Sequence, residues 1–155
     1  GADATRVASS GSFQLVRTDA LRTQVTGFSI VSAGQQWGAM HLARSVDDKP
    51  MRVGGRVWLT GLGTHANSMI RLRSSEPPRT AFRGQCALDD EATPASPTYC
   101  EIIDEQNARL WRSDELKQGA AQSFEIELPK GDFFLKTSAI GSIAGAHTDW
   151  FWESK

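Results

Sequence analysis

Gly61-Leu62-Gly63-Thr64-His65-Ala66-Asn67-Ser68 follows the strand-like run Val57-Trp58-Leu59-Thr60 and leads into Met69-Ile70-Arg71-Leu72-Arg73. The last run alternates apolar with polar residues, the period of a strand with one face on a core. The stretch 61–68 therefore lies at a strand end, where scaffolds commonly display ligand-binding groups. It puts two glycines, a histidine and an asparagine there. Histidine donates and accepts hydrogen bonds, and an asparagine amide does both at once. Sugar hydroxyls need such mixed partners.

The same texture extends outward along the chain. Thr26-Gly27-Phe28-Ser29-Ile30-Val31 and Ser123-Phe124-Glu125-Ile126-Glu127-Leu128 also have a period of two. Turn signals divide the strands at Val53-Gly54-Gly55-Arg56, Glu76-Pro77-Pro78-Arg79, Glu105-Gln106-Asn107 and Pro129-Lys130-Gly131-Asp132. Many short strands at short spacing predict an all-β, antiparallel β-sandwich of the jelly-roll kind. Only Ser113 to Gln118 invites a helical reading, and it is short. Residues 1–12 are small and polar and read as a flexible linker or tag remnant, leaving 13–155 as a single module.

A chain of 155 residues has the usual size of one domain. Its 17 Lys and Arg nearly balance 18 Asp and Glu, giving a net charge of −1 and no field to attract phosphate. Nucleic acid and anionic membrane are thus not expected partners. No apolar run approaches the roughly 20 residues needed to span a bilayer, and no basic region precedes an apolar stretch at the amino terminus. The sequence reads as a mature chain or an excised module.

Cys86 and Cys100 each sit in a strand-like run. If Leu88 faces Thr98 and Gly84 faces Ile102 in a hairpin, Cys86 falls opposite Cys100, the register of a cross-strand disulfide. Closing a loop of about 15 residues stabilises by roughly 3 kcal/mol in the chain-entropy model. That reading places the chain in an oxidising, exported setting: secreted, extracellular or periplasmic. The alternative is two reduced, buried thiols that fill core.

A family resemblance rests on a series of segments in order: Gln36-Trp37-Gly38, then Ser45-Val46-Asp47-Asp48-Lys49-Pro50-Met51, Gly54-Gly55 and Gly61 to Ser68. Ala87-Leu88-Asp89-Asp90-Glu91, Leu110-Trp111-Arg112-Ser113 and His147-Thr148-Asp149-Trp150 complete it. From about Phe28 to the carboxyl end the chain resembles the NPCBM family, carbohydrate-binding module family 51. The resemblance implies a galactose-binding-like sandwich appended to a secreted glycoside hydrolase. It also implies recognition of a glycan, often galactose-bearing, by loops at one end. Some relatives bind calcium, so a structural calcium is an open expectation, with no cofactor assigned and the metal ligands unknown. Relatives often carry an acid just before the residue matching Ser45, where this chain has Leu42-Ala43-Arg44.

The candidate sugar contacts are Trp37, His65, Asn67, His147, Asp149 and Trp150. His65 either caps neighbouring backbone or bonds a sugar hydroxyl, with Asn67 on the same face if the strand continues. His147 and Asp149 share one face of a terminal strand; Trp150 and Trp152 share the other. A carboxylate can accept two bonds from vicinal hydroxyls, and an aromatic ring can stack on galactose. Trp150 and Trp152 can equally be core, and Asp149 can brace the loop from Gly141 to Gly145. Trp37 lies in a turn, where strand packing does not account for a ring. Trp58 and Trp111 read as core. Asp47 and Asp48 read as a solvated turn, while Asp89, Asp90 and Glu91 either face water or offer hard oxygens to calcium.

The carboxylates cluster in turns rather than at matched strand ends across a cleft, unlike those of a glycoside hydrolase. No Gly-x-Ser-x-Gly turn or phosphate-cradling loop occurs, and His41, His65 and His147 lack metal-site spacing. The expected function is a non-catalytic carbohydrate-binding module that targets an attached hydrolase or surface protein. The alternative is a structural sandwich packed on a catalytic domain, without sugar binding of its own.

Overall fold

The computed structural model describes residues 5–8, 14–17, 24–25, 27–75, 80–92 and 96–152. The strands are β1 (Thr5–Ala8), β2 (Gln14–Arg17), β3 (Gln24–Val25), β4 (Phe28–Gln35), β5 (His41–Leu42), β6 (Met51–Val53), β7 (Arg56–Trp58) and β8 (Leu62–His65). They continue with β9 (Ser68–Ser74), β10 (Ala81–Leu88), β11 (Thr98–Asp104), β12 (Arg109–Arg112), β13 (Gln122–Glu127), β14 (Phe133–Ala139) and β15 (His147–Phe151). No helix occurs among the described residues, and Ser113 to Gln118 leads into an isolated bridge between Lys117 and Ala120. The expected turn at Glu76 to Arg79 lies outside the described residues.

An eight-stranded sheet runs β1-β2-β4-β9-β14-β11-β12, with β3 also pairing β4. A five-stranded sheet runs β13-β10-β15-β8-β5, and β6 pairs β7 in a separate hairpin. All pairings are antiparallel. The sandwich is the architecture that the alternating runs predict. Within the segment 1–12, residues 5–8 form β1 and pair with β2, whereas a linker was expected throughout; residues 1–4 and 9–12 lie outside the described residues.

The alternation sets the core. Ala33, Ile70, Leu135 and Ile102 stand side by side across β4, β9, β14 and β11. All four are buried beneath the other sheet's Leu62, Phe82, Cys86, Phe124 and Trp150. Phe28 stands edge-on to Phe82 at 4.8 Å, Phe133 at 5.6 Å and Trp152 at 5.9 Å between ring centroids. Such T-shaped contacts set the positive edge of one ring on the negative face of the next. Trp152 and Trp150 are core, and the Trp150 indole donates to Thr137 Oγ1 at 3.1 Å.

The hairpin register expected for the cysteines does not form. Cys86 lies on β10 in the small sheet, between Gln122 and Trp150, and Cys100 lies on β11 in the large sheet, opposite Thr137. Strands consecutive in sequence have crossed to opposite layers. Both cysteines are free, fully buried thiols. Burial, with Cys86 as its hydrogen-bonding neighbour, pushes the Cys100 thiol up well above its ordinary pKa. The thiols thus fill core, the other reading that the sequence left open.

The two glycines of the opening stretch answer to close backbone approach. Gly61 has φ of 124°, and a Cβ there would run into the carbonyl of Trp150. A Cβ on Gly63 would strike the Arg44 carbonyl and Ser45 Cα, so the loop after β5 lies directly on β8. Neither obstacle is a flexible side-chain end. Gly63→Ala is expected to cost about 1–3 kcal/mol, as overpacking does, measured by urea denaturation. A variant as stable as the parent would show that the loop does not bear on β8.

Candidate functional site

Strands β8 and β15 end together with His65 opposite His147. Period two places both histidines, Gly63, Asp149 and Phe151 on the outer face of the small sheet, because Leu62, Thr64, Thr148 and Trp150 turn inward. Trp37, on the turn after β4, leans over the pair. Its ring lies 4.9 Å from that of His65 and 5.6 Å from that of His147, and the two imidazoles are 5.1 Å apart.

The Trp37 turn is held by amides. Gln35, buried, donates from Nε2 to the Trp37 carbonyl at 2.6 Å and accepts from Thr64 Oγ1 at 2.6 Å. Gln36 N donates to the Asn67 carbonyl at 3.0 Å, and Asn67 N donates back to Gln36 Oε1 at 3.1 Å. The Ala66–Asn67 peptide is cis. Trp37 itself remains 47% exposed, so an anchored loop offers an open indole face.

The hydrogen-bond partners set the imidazole chemistry. His65 Nδ1 lies 2.7 Å from the Ala66 carbonyl, which only accepts, so Nδ1 carries the proton and Nε2 keeps a lone pair. Burial lowers the pKa of His65, and His147 lowers it further, against the Ala66 bond and Asp47, which raise it. The folded state therefore resists protonating His65. This contribution to stability is full above the unfolded value near 6.5 and declines as pH falls through it. Neutral His65 is a hydrogen-bond acceptor at neutral pH.

His147 Nδ1 donates to Glu91 Oε2 at 2.8 Å, with Asp47 Oδ2 at 3.8 Å. Ser45 Oγ donates to the other Glu91 oxygen at 2.9 Å. Asp47, Glu91 and His147 form the one group of three potential metal donors found among the described residues. The site thus combines an open aromatic face, imidazole acceptors and carboxylates at its rim.

Of the predicted contacts, Trp37, His65 and His147 come together. Asn67 turns away: its Oδ1 accepts from Ala139 N at 2.8 Å, and the strand ends at His65, so the two side chains do not share a face. Asp149 and Trp150 are fully buried and present no surface to a ligand. Sequence reading passed over Glu91 and Asp47 as partners of His147. Only the strand pairing that sets Asp89 N on the His147 carbonyl, at 2.9 Å, brings that acidic loop to β15.

The family profile described as the NPCBM/NEW2 domain matches residues 22–152. The chain belongs to this family. Alpha-1,3-galactosidase B of Akkermansia muciniphila is 27% identical to this NPCBM/NEW2 chain over 147 residues, 92% of the chain. The chain spans only 18% of that relative's length. Two solved structures share the fold. One is a family 51 carbohydrate-binding module of a Clostridium perfringens GH95 protein, in complex with methyl-galactose. It has a TM-score of 0.67 and 18% identity, covering 79% of this chain and 91% of that one. The other contains the CBM51-2 and INT domains of Clostridium perfringens ZmpB, with a TM-score of 0.71 and 15% identity, covering 95% of this chain and 38% of that one.

Of the acids named for calcium, Asp89 and Asp90 spend their oxygens on backbone donors. Asp90 accepts from Gly54 N and Gly55 N, both at 2.8 Å, and Asp89 accepts from Arg52 N and Glu91 N. Asp149 is different. Neither of its buried oxygens meets a donor, because its neighbour Asp89 is itself a carboxylate. Burial first, then Asp89, Glu91 and Asp90, raise its pKa well above the ordinary value. A proton on Asp149, donated to Asp89, satisfies the pair. A hard cation beside the Asp149 carboxylate would do the same, supplying the positive charge that these acids lack.

In chelator, the folded state binds the Asp149 proton more tightly than the unfolded chain does. Stability is then greatest below pH 4 as far as this group is concerned, and is lost as pH rises toward the raised value. Asp149→Asn keeps a donor facing Asp89. It is expected to raise stability at pH 8 in EDTA by about 1–3 kcal/mol, the cost of an unsatisfied buried group, and to flatten the pH dependence. Thermal melts from pH 5 to 9 check this, and an equal slope in both proteins would refute it.

Proposed function

We propose that this module is a non-catalytic carbohydrate-binding domain that recognises a galactose-bearing glycan through Trp37, His65 and His147. The supporting observation is the open Trp37 ring set against two imidazoles whose Nδ1 protons are already committed. A galactose ring would stack its apolar face on the indole while its hydroxyls donate to His65 Nε2 and to the rim carboxylates Asp47 and Glu91. The methyl-galactose bound to the structurally similar C. perfringens module, and the galactosidase relative, favour this sugar.

At the Trp37 end Glu91 is engaged by His147 and Ser45, and Asp89 and Asp90 by backbone N–H groups, in keeping with an ancillary role. We place the module in a larger secreted protein, extracellular or periplasmic, tethered to a catalytic domain. The similar modules of ZmpB, solved together with an M60 catalytic domain, support such an attachment. A shallow site of this kind would bind in the micromolar to millimolar range, about −8 to −4 kcal/mol, with avidity from tethering.

Methyl galactoside titrated by calorimetry tests the assignment. Trp37→Ala is expected to weaken binding at least tenfold, about 1.4 kcal/mol, with little change in melting temperature because the residue lies on a surface turn and is 47% exposed. His147→Ala should do the same at a small cost in stability. Parent-like affinity in both variants would remove the sugar from this end of the sandwich.

A further inference from the structure

Four residues further along β15 from His147, roughly 13 Å away, the outer face of the small sheet forms a second cleft of about 510 Å³. One wall is the β6–β7 hairpin. Trp58 stacks on Phe151 with ring centroids 4.1 Å apart and planes at 20°, and the Arg56 guanidinium lies 4.2 Å over the Trp58 ring. Both faces of this indole are therefore occupied. The ring positions a cation rather than offering a stacking surface.

Arg56 has no carboxylate partner within ion-pair distance among the described residues. The floor is the row Ser123–Gln85–Phe151, in which Gln85 Nε2 donates to Ser123 Oγ at 3.3 Å. That bond uses one of the amide's two N–H donors and turns Oε1 away from Ser123, where it is left as an acceptor. The next row pairs Arg83 with Glu125 at 3.5 Å, both well exposed. Two guanidinium groups, an amide acceptor and one carboxylate thus line one cleft.

We propose that this cleft is a second saccharide site, distinct from the Trp37 end, and that it takes a sugar bearing one carboxylate. A planar guanidinium matches a carboxylate with two parallel hydrogen bonds, and stacking on Trp58 fixes Arg56 in advance, so less side-chain entropy is lost on binding. Gln85 Oε1 and Glu125 accept from neighbouring hydroxyls. A single acid is specified because Arg83 is already paired with Glu125, so that Arg56 is the guanidinium of the cleft left to a ligand carboxylate. A ligand that combines one anion with several adjacent hydroxyls is an acidic monosaccharide, either a uronic acid or a sialic acid.

The test is NMR titration of the full chain with the methyl glycosides of glucuronic acid and N-acetylneuraminic acid. Methyl galactoside, sodium acetate and a glutamate-rich peptide serve as comparisons at constant ionic strength. At least one acidic sugar is expected to shift the Trp58 indole N–H, the Arg56 Nε–H and the Gln85 amide, leaving the Trp37 indole unmoved. Arg56→Ala and Gln85→Ala should each weaken that binding several-fold without changing the response of Trp37 to methyl galactoside. The cleft and the galactose site therefore fail separately. No shift with either acidic sugar overturns the proposal, as does an equal shift with methyl galactoside. Shifts from acetate or the peptide but from neither sugar also overturn it.

Discussion

The structure depends on a contact between main chains. At Gly63 the loop after β5 lies directly on β8, with the Arg44 carbonyl and Ser45 Cα in the space where any side chain would project. That approach brings the loop to the Trp37 end, beside the amide bonds that hold the Trp37 turn. Ser45 then reaches Glu91, Glu91 accepts the hydrogen bond from His147, and Val46 packs against the Gly38 turn that carries Trp37. A methyl group at position 63 would act on the site through the loop it displaces.

Around this contact the protein concentrates acids and disposes of their charge by several means. Asp89 and Asp90 face backbone N–H groups from the β6–β7 hairpin, Glu91 faces a hydroxyl and an imidazole, and Asp48 pairs with Arg44. Backbone donors neutralise a carboxylate without needing a second buried charge, and so avoid its desolvation. Among the described acids of this cluster, Asp149 is left to a proton or cation. At the opposite end of the sandwich the same problem is solved with arginines: Arg73 and Arg71 bond Asp132 and hold its carboxyl below the usual range.

The sequence made the layers legible because each strand buries one face, and alternation exposes that face wherever it recurs. It could not say which layer a strand joins. Cys86 and Cys100 alternate correctly for a hairpin, yet β10 and β11 belong to opposite sheets, and no local pattern distinguishes pairing across a turn from facing across a core. The site was legible to the same depth. Histidines and a turn tryptophan at strand ends are local signals, and they converge. Asp149 shares its face with His147, but it lies in the row of Gly63 and Ala87, beneath the loop and hairpin. Only tertiary packing separates the accessible residue from the covered one. Glu91, which the sequence left between facing water and offering oxygen to calcium, takes His147 and Ser45 as partners through the same packing.

Among the described residues the two strands of the β6–β7 hairpin pair only with each other. The hairpin is fastened to the small sheet by side-chain packing of Met51, Val53 and Trp58, and by the clasp of Asp90 on Gly54 and Gly55. Neither sheet loses a ladder bond if its tip is lengthened, shortened or recoloured with charge. Divergence can therefore rewrite one face of the domain while the hydrogen-bonded frame stays fixed, so that the same scaffold can acquire different surface chemistry beside an unaltered histidine pair.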